Sequence, residues 1–128
     1  MNNENFNMNY VEEEIESYAK LEGNNFKFFI EKLNVILGRE SIQFRANNDE
    51  QFISLGNSCK ISRRHAMISW NKHVGFWEIK ILSKNKTKVN VVSLKKGDRP
   101  AILHPGSGIQ IENTKFFFFP AVNIPSSQ

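Results

Sequence analysis

The chain has 128 residues, one cysteine and a formal net charge of +4, long enough to bury a single core without disulfide or metal staples. Cys59 alone excludes an internal disulfide framework and a cysteine-rich zinc site, and no apolar run approaches the ~20 residues of a membrane helix. Residues 1–16 carry five acids and no Lys or Arg, so the remainder holds all 17 basic residues against the other 8 of the 13 acids. A basic body with an acidic opening points to an anionic partner: nucleic acid, acidic peptide, phosphate or membrane surface.

The opening, Met1 to Asn9, is Asn-rich and has no folding period, so residues 1–16 are expected to be a disordered acidic tail. A short helical turn over Val11 to Ser17 is the alternative there. The opening also lacks the basic and apolar regions of a secretory signal. With a lone cysteine, this suggests an intracellular protein.

From Tyr18 onward, short apolar runs alternate with turn formers. The runs are Tyr18–Leu21, Phe26–Ile30, Val35–Leu37, Phe52–Leu55, Ala66–Trp70, Phe76–Leu82, Lys88–Val92, Ile109–Ile111 and Phe116–Phe119. They are rich in β-branched and aromatic residues, and several alternate, as Trp77, Ile79 and Ile81 do against Glu78 and Lys80. Gly23-Asn24-Asn25, Asn47-Asn48-Asp49, Gly56-Asn57, Gly97-Asp98 and Pro105-Gly106 supply the turns. No stretch shows a sustained 3.6-residue period. Many closely spaced short strands predict an antiparallel sandwich or barrel. Phe116–Phe119 reads as a terminal strand buried on both faces, with Pro120 and Pro125 ending the fold. The folded segment is expected over 17–120, with a tail over 121–128.

A β-sandwich carries its chemistry on the loops at one end. Three loops hold polar residues that have no obvious structural role. They are Gly38-Arg39-Glu40, Lys60-Ile61-Ser62-Arg63-Arg64-His65, and Lys84-Asn85-Lys86-Thr87. A guanidinium offers a planar fork of donors, serine a short hydroxyl donor, and asparagine both a donor and an acceptor for main chain. These groups suit a phosphate dianion carried on a peptide. A solvated basic rim is the plainer reading.

Gly38-Arg39, then Ser62-Arg63-Arg64-His65, then Asn85-Lys86-Thr87-Lys88-Val89-Asn90-Val91, in that order in an all-strand chain, resembles the forkhead-associated (FHA) domain pattern. The match covers Ser17 to Pro120. The stretches Tyr18–Gly23 and Ile53–His65 are most similar to the FHA domains of K-class forkhead transcription factors. Lys86 and Val91 stand where the family usually has glycine. The resemblance implies an all-β sandwich of about eleven short strands, FHA/SMAD-like, that binds phosphothreonine peptides at its loop end.

By position, the resemblance implies that Arg39 and Ser62 contact the phosphate, that Arg63 adds a further contact, and that Asn85 bonds the peptide backbone. Gly38, His65 and Thr87 would support the loops. In the family the serine loop also faces the side chain three residues after the phosphothreonine. Lys60, Arg63, Arg64, Lys84 and Lys86 would therefore favour an acidic residue there.

Catalysis is not expected, because Ser62 and His65 lie three residues apart in a loop with no acid positioned to complete a triad. No metal site or cofactor is expected, since His65, His73, His104 and Cys59 lack ligand spacing and no glycine-rich loop precedes a helix. Two rival readings are a degenerate FHA domain making phosphate-independent protein contacts and a basic sandwich binding nucleic acid directly. The basic loops carry no stacking rings, so direct nucleic-acid binding by this domain is not expected. The expected partner is a phosphothreonine protein, bound by a monomer in the nucleus, or otherwise in the cytoplasm, with no membrane association. No winged-helix segment occurs in these 128 residues, so the chain is expected to be an excised domain or a short relative.

Overall fold

The strand over Phe76–Ile81 shows what builds this fold: Trp77, Ile79 and Ile81 are buried, while Phe76 and Lys80 are exposed. A period of two places one set of side chains on each face of a sheet. The computed structural model describes residues 17–40 and 49–121. The acidic opening, the Asn47-Asn48 turn, Pro125 and all of the C-terminal tail beyond Ala121 lie outside the described residues.

Among the described residues eleven strands run in order: β1 (Ala19–Gly23), β2 (Phe26–Ile30), β3 (Asn34–Gly38), β4 (Gln51–Ser54), β5 (Ala66–Asn71), β6 (Phe76–Ile81), β7 (Thr87–Val89), β8 (Val92–Leu94), β9 (Ala101–Leu103), β10 (Ser107–Ile111) and β11 (Thr114–Pro120). They form a six-stranded sheet, β2-β1-β11-β10-β7-β8, and a five-stranded sheet, β4-β3-β5-β6-β9. The all-β sandwich expected from the strand pattern is therefore present. One pairing departs from the antiparallel expectation: β3 and β4 run parallel, with Val35 opposite Gln51 and Gly38 opposite Ser54.

The core lies between the inward faces of the two sheets. Leu21, Ile30, Leu37, Ile68, Ile79, Ile109, Phe116 and Phe118 are fully inaccessible. Each such side chain contributes about 1.5–3 kcal/mol relative to exposure. Trp77 packs between Trp70, with ring centroids 5.6 Å apart, and Phe118, at 5.8 Å.

Three details differ from the sequence reading. The run Lys88–Val92 is a hairpin rather than one strand: Asn90 turns at φ 56° between β7 and β8. Its amide donates to the Gly108 carbonyl (2.8 Å), and its Oδ1 accepts from the Gly108 amide (2.9 Å). β9 is a three-residue edge strand whose pattern is too short to show a period. Phe116–Phe119 is buried on one face only, with Phe117 and Phe119 turned outward at 38% and 37% exposure. β11 is central to the six-stranded sheet, yet nothing covers that sheet's outer face among the described residues.

The register brings three chain segments to one end. Leu37 lies opposite Ala66 and Ala66 opposite Ile81, so the end of β3, the start of β5 and the end of β6 coincide.

The two-faced character of β11 has a direct test. Phe118→Ala should cost about 3–5 kcal/mol, whereas Phe119→Ala should cost about 1 kcal/mol or less, as an exposed substitution does. Urea denaturation of both variants measures the difference, and equal losses would contradict the one-faced packing.

Candidate functional site

The site begins at Gly38, the last residue of β3. A Cβ at this position would overlap the Arg63 carbonyl, with the Ser62 carbonyl oxygen 3.0 Å away. Glycine thus lets the β4–β5 loop cross directly over the end of β3. The crossing is sealed by backbone bonds: the Arg39 amide donates to the Ser62 carbonyl (2.9 Å), and the Leu55 amide to the Gly38 carbonyl (2.8 Å). Arg39 is half-buried, and its Nε–H donates to the Ile61 carbonyl at 3.0 Å. That bond fixes the guanidinium plane against the loop through one nitrogen. Among the described residues the two terminal nitrogens bond no protein group.

His65, 1% exposed, ties the three loops together. Its amide donates to the Leu37 carbonyl of β3, and its carbonyl accepts from the Leu82 and Ser83 amides after β6. Nδ1 accepts the Ser62 amide at 3.0 Å, and Nε2 lies 3.1 Å from Thr87 Oγ1. An Nδ1 that accepts an N–H is unprotonated, so the ring is neutral and its Nε2–H donates to the buried Thr87 hydroxyl. Burial holds this imidazole below its ordinary pKa of 6.5.

Ser62 Oγ lies 2.7 Å from Ser83 Oγ, which also accepts the Asn85 amide at 3.0 Å. The Asn85 side-chain NH₂ donates to the Lys60 carbonyl at 2.8 Å, joining the β6–β7 loop to the β4–β5 loop and leaving its Oδ1 as an acceptor. Arg39, Ser62 and Asn85, predicted from three separate loops, are thus linked through direct bonds among those loops. Gly38, His65 and Thr87 hold the frame.

The basic rim is less uniform than its sequence. Arg64 makes a bidentate pair with Glu50 at 3.2 and 3.1 Å. Lys60 Nζ lies 3.9 Å from Glu112, a loose contact on a 74% exposed side chain. Arg63, Lys84 and Lys86 are exposed. The five cations expected to act alike thus divide into three open ones and two with acidic neighbours.

Both departures from the usual glycines are accommodated. Among the described residues, only Asn90 and Glu112 have positive φ apart from glycines, so the turn at Lys86 needs no left-handed residue. At the β7–β8 hairpin Asn90 takes that conformation, which Asn tolerates better than most residues, and Val91 is left in ordinary backbone space.

Sequence reasoning missed Ser83, Glu112 and Glu50. Ser83 had a legible signal, since a serine two residues ahead of a loop amide is an ST-turn pattern. The two glutamates had none, because they reach the site from 14 and 52 residues away, from Arg64 and Lys60 respectively.

The family model described as the FHA domain matches residues 35–112. The chain is 32% identical over 117 residues to Fork head protein homolog 2 of Saccharomyces cerevisiae, covering 82% of this chain and 14% of that protein. It is 37% identical over 119 residues to the fork-head transcriptional regulator FHL1 of Candida albicans, covering 89% of this chain and 10% of that protein. The chain therefore spans a small part of the length of these relatives. The solved structure of the MEK1 FHA domain with a HOP1 phosphothreonine peptide superposes with a TM-score of 0.60 at 25% identity, over 81% of this chain and 97% of that one. The N-terminal FHA domain of S. cerevisiae RAD53P, in complex with a phosphothreonine peptide, gives 0.63 at 16% identity, over 87% and 99%, a likeness of fold.

The neutral His65 makes stability depend on pH. Below about 6.5 the unfolded ring takes a proton that the folded ring refuses, so the unfolded state binds more protons and stability falls as pH drops towards the folded value. Glu22, held below the usual carboxylate range by its hydrogen bond with Lys20, contributes only at lower pH. Denaturation at about pH 7.5 and about pH 5.5 should show the loss in the parent chain and a smaller one in His65→Asn. That variant should start about 1–3 kcal/mol less stable because a buried partner is unmatched. The same slope in both would assign the acid sensitivity elsewhere.

Proposed function

Because the chain belongs to the FHA-domain family, we propose that its loop end binds phosphothreonine peptides, with Arg39, Ser62 and Arg63 on the phosphate and Asn85 on the peptide backbone. The supporting observation is Arg39: its Nε is committed to the Ile61 carbonyl, which pre-orients the terminal nitrogens beside the Ser62 loop. A guanidinium fixed this way loses little freedom on forming charge-assisted bonds to a dianion. Ser83 completes the arrangement. While accepting the Asn85 amide, its hydroxyl can donate to Ser62 Oγ, which frees the Ser62 proton for a phosphate oxygen. Asn85, anchored through its NH₂ on the Lys60 carbonyl, offers Oδ1 to a peptide amide.

The module recognises a phosphorylated partner and performs no chemistry on it. Its relatives include Fork head protein homologs and a fork-head transcriptional regulator, and on that basis we place it in a nuclear transcription regulator, acting as a monomeric domain.

Arg39→Ala should abolish most phosphopeptide affinity, a loss of about 2–4 kcal/mol if the ion pair is desolvated, with little change in melting temperature. Calorimetric titration of phosphorylated and unphosphorylated versions of one peptide measures it. A folded variant that binds as the parent does would place the phosphate elsewhere.

Arg63, Lys84 and Lys86, the rim cations with no acidic neighbour among the described residues, should favour an acidic residue three positions after the phosphothreonine. Each exposed pair is worth about 0.2–1 kcal/mol and weakens with salt. On a phosphopeptide array, Lys84→Glu should erode this preference more than Lys60→Glu, whose lysine already lies near Glu112. A preference for aliphatic residues, indifferent to salt and to both reversals, would indicate an apolar groove.

A further inference from the structure

The outer face of the six-stranded sheet carries a second surface, unrelated to the phosphate loops. In register across β2, β1 and β11, Phe29, Lys20 and Phe119 form one row. The next row is Lys27, Glu22 and Phe117, and a third is Lys115, Gln110 and Lys88. Residues directly opposite share a face, so three phenylalanines and four lysines lie together on it. Phe29, Phe117 and Phe119 are 47%, 38% and 37% exposed. A lysine ammonium sits over each ring: Lys27 over Phe29 at 5.8 Å, Lys115 over Phe117 at 5.8 Å, and Lys20 over Phe119 at 5.6 Å. Among the described residues the one acid in these rows, Glu22, is paired with Lys20 at 3.0 Å. A depression of about 450 Å³ runs alongside Phe117 and Phe119.

We propose that this face binds single-stranded nucleic acid, with bases stacked on Phe117, Phe119 and Phe29 and phosphates taken by Lys20, Lys27, Lys115 and Lys88. Protein interfaces are depleted in lysine at their core, whereas every ring here is interleaved with one. Flat rings among cations suit a strand with accessible base faces, because each base offers a π-face and each linkage a negative charge. The spacing agrees. Phe117 and Phe119 are about 6.8 Å apart along β11, twice the 3.4 Å rise per base of a stacked duplex strand, which suits bases splayed onto separate rings. Phe29 and Phe119 flank Lys20 at about one strand spacing, ~4.8 Å, on either side. A duplex hides its base faces and could use only the lysines. The absence of rings among the cations, which argued against nucleic acid at the loops, does not hold on this face.

The test is fluorescence anisotropy of labelled single-stranded poly-dT and poly-U with the full 128-residue chain, repeated over a range of salt. Phe117→Leu and Phe119→Leu keep apolar volume but remove the plane, and melting curves check that they fold. Together they should weaken binding about 5- to 100-fold without altering the salt slope. Lys115→Gln and Lys88→Gln should each lower that slope by about 0.7. Arg39→Ala should change neither, separating this surface from the phosphopeptide site. Absence of binding by the parent, Leu variants that bind as the parent does, or poly-glutamate competing on equal terms would each overturn the proposal; the last would identify a surface that recognises charge alone.

Discussion

The buried, neutral imidazole of His65 is the contact on which the loop end depends. It has backbone bonds to β3 and to the segment after β6, one ring bond to its own loop at Ser62, and one to Thr87 at the start of β7. Both sheets therefore meet at one side chain. Its two ring nitrogens must play opposite roles, acceptor towards Ser62 and donor towards Thr87, and only the neutral ring does both. Protonation would set an N–H at Nδ1 against the Ser62 amide. A lysine or arginine there could not accept, and an aliphatic residue would leave a part-buried amide and a buried hydroxyl unmatched.

Around this frame, the loops differ in how much freedom their polar groups keep. Arg39 and Asn85 each use one donor to hold position, which leaves the Arg39 terminal nitrogens and the Asn85 Oδ1 available. Ser62 is linked through Ser83 to the Asn85 amide, so the serine of one loop and the asparagine of the next share one hydrogen-bond chain. Local anchoring of this kind reduces the conformational entropy lost on binding. Cations adjacent in sequence are unequal: Arg63 and Arg64 are both exposed, but Arg64 is held in a bidentate pair with Glu50.

The six-stranded sheet supports two separate surfaces. Its inner face supplies Phe116 and Phe118 to the core, and its outer face presents Phe117 and Phe119 beside lysines. The period of two within β11 assigns the four consecutive phenylalanines to opposite environments. The polar loops and the ring-and-lysine face thus lie on different parts of one small domain, the first at the loop end and the second on the outer face of a sheet.

Much of this was legible in the chain itself. Short β-branched and aromatic runs separated by turn residues determine an all-β sandwich, because period and turn chemistry are local properties. The order Gly38-Arg39, Ser62 to His65 and Asn85 to Thr87 likewise marked three loops that the fold joins at one end. Local pattern failed where three-dimensional neighbours decide the outcome. The parallel pairing of β3 with β4, the hairpin hidden in Lys88–Val92, and the outward turn of Phe117 and Phe119 depend on which strand lies alongside and what covers the sheet. The charge of the rim was countable from sequence, but its distribution was not. Glu50 and Glu112 reach Arg64 and Lys60 only once the sheets have closed, since ion pairing depends on distance through space and residue order carries no record of it.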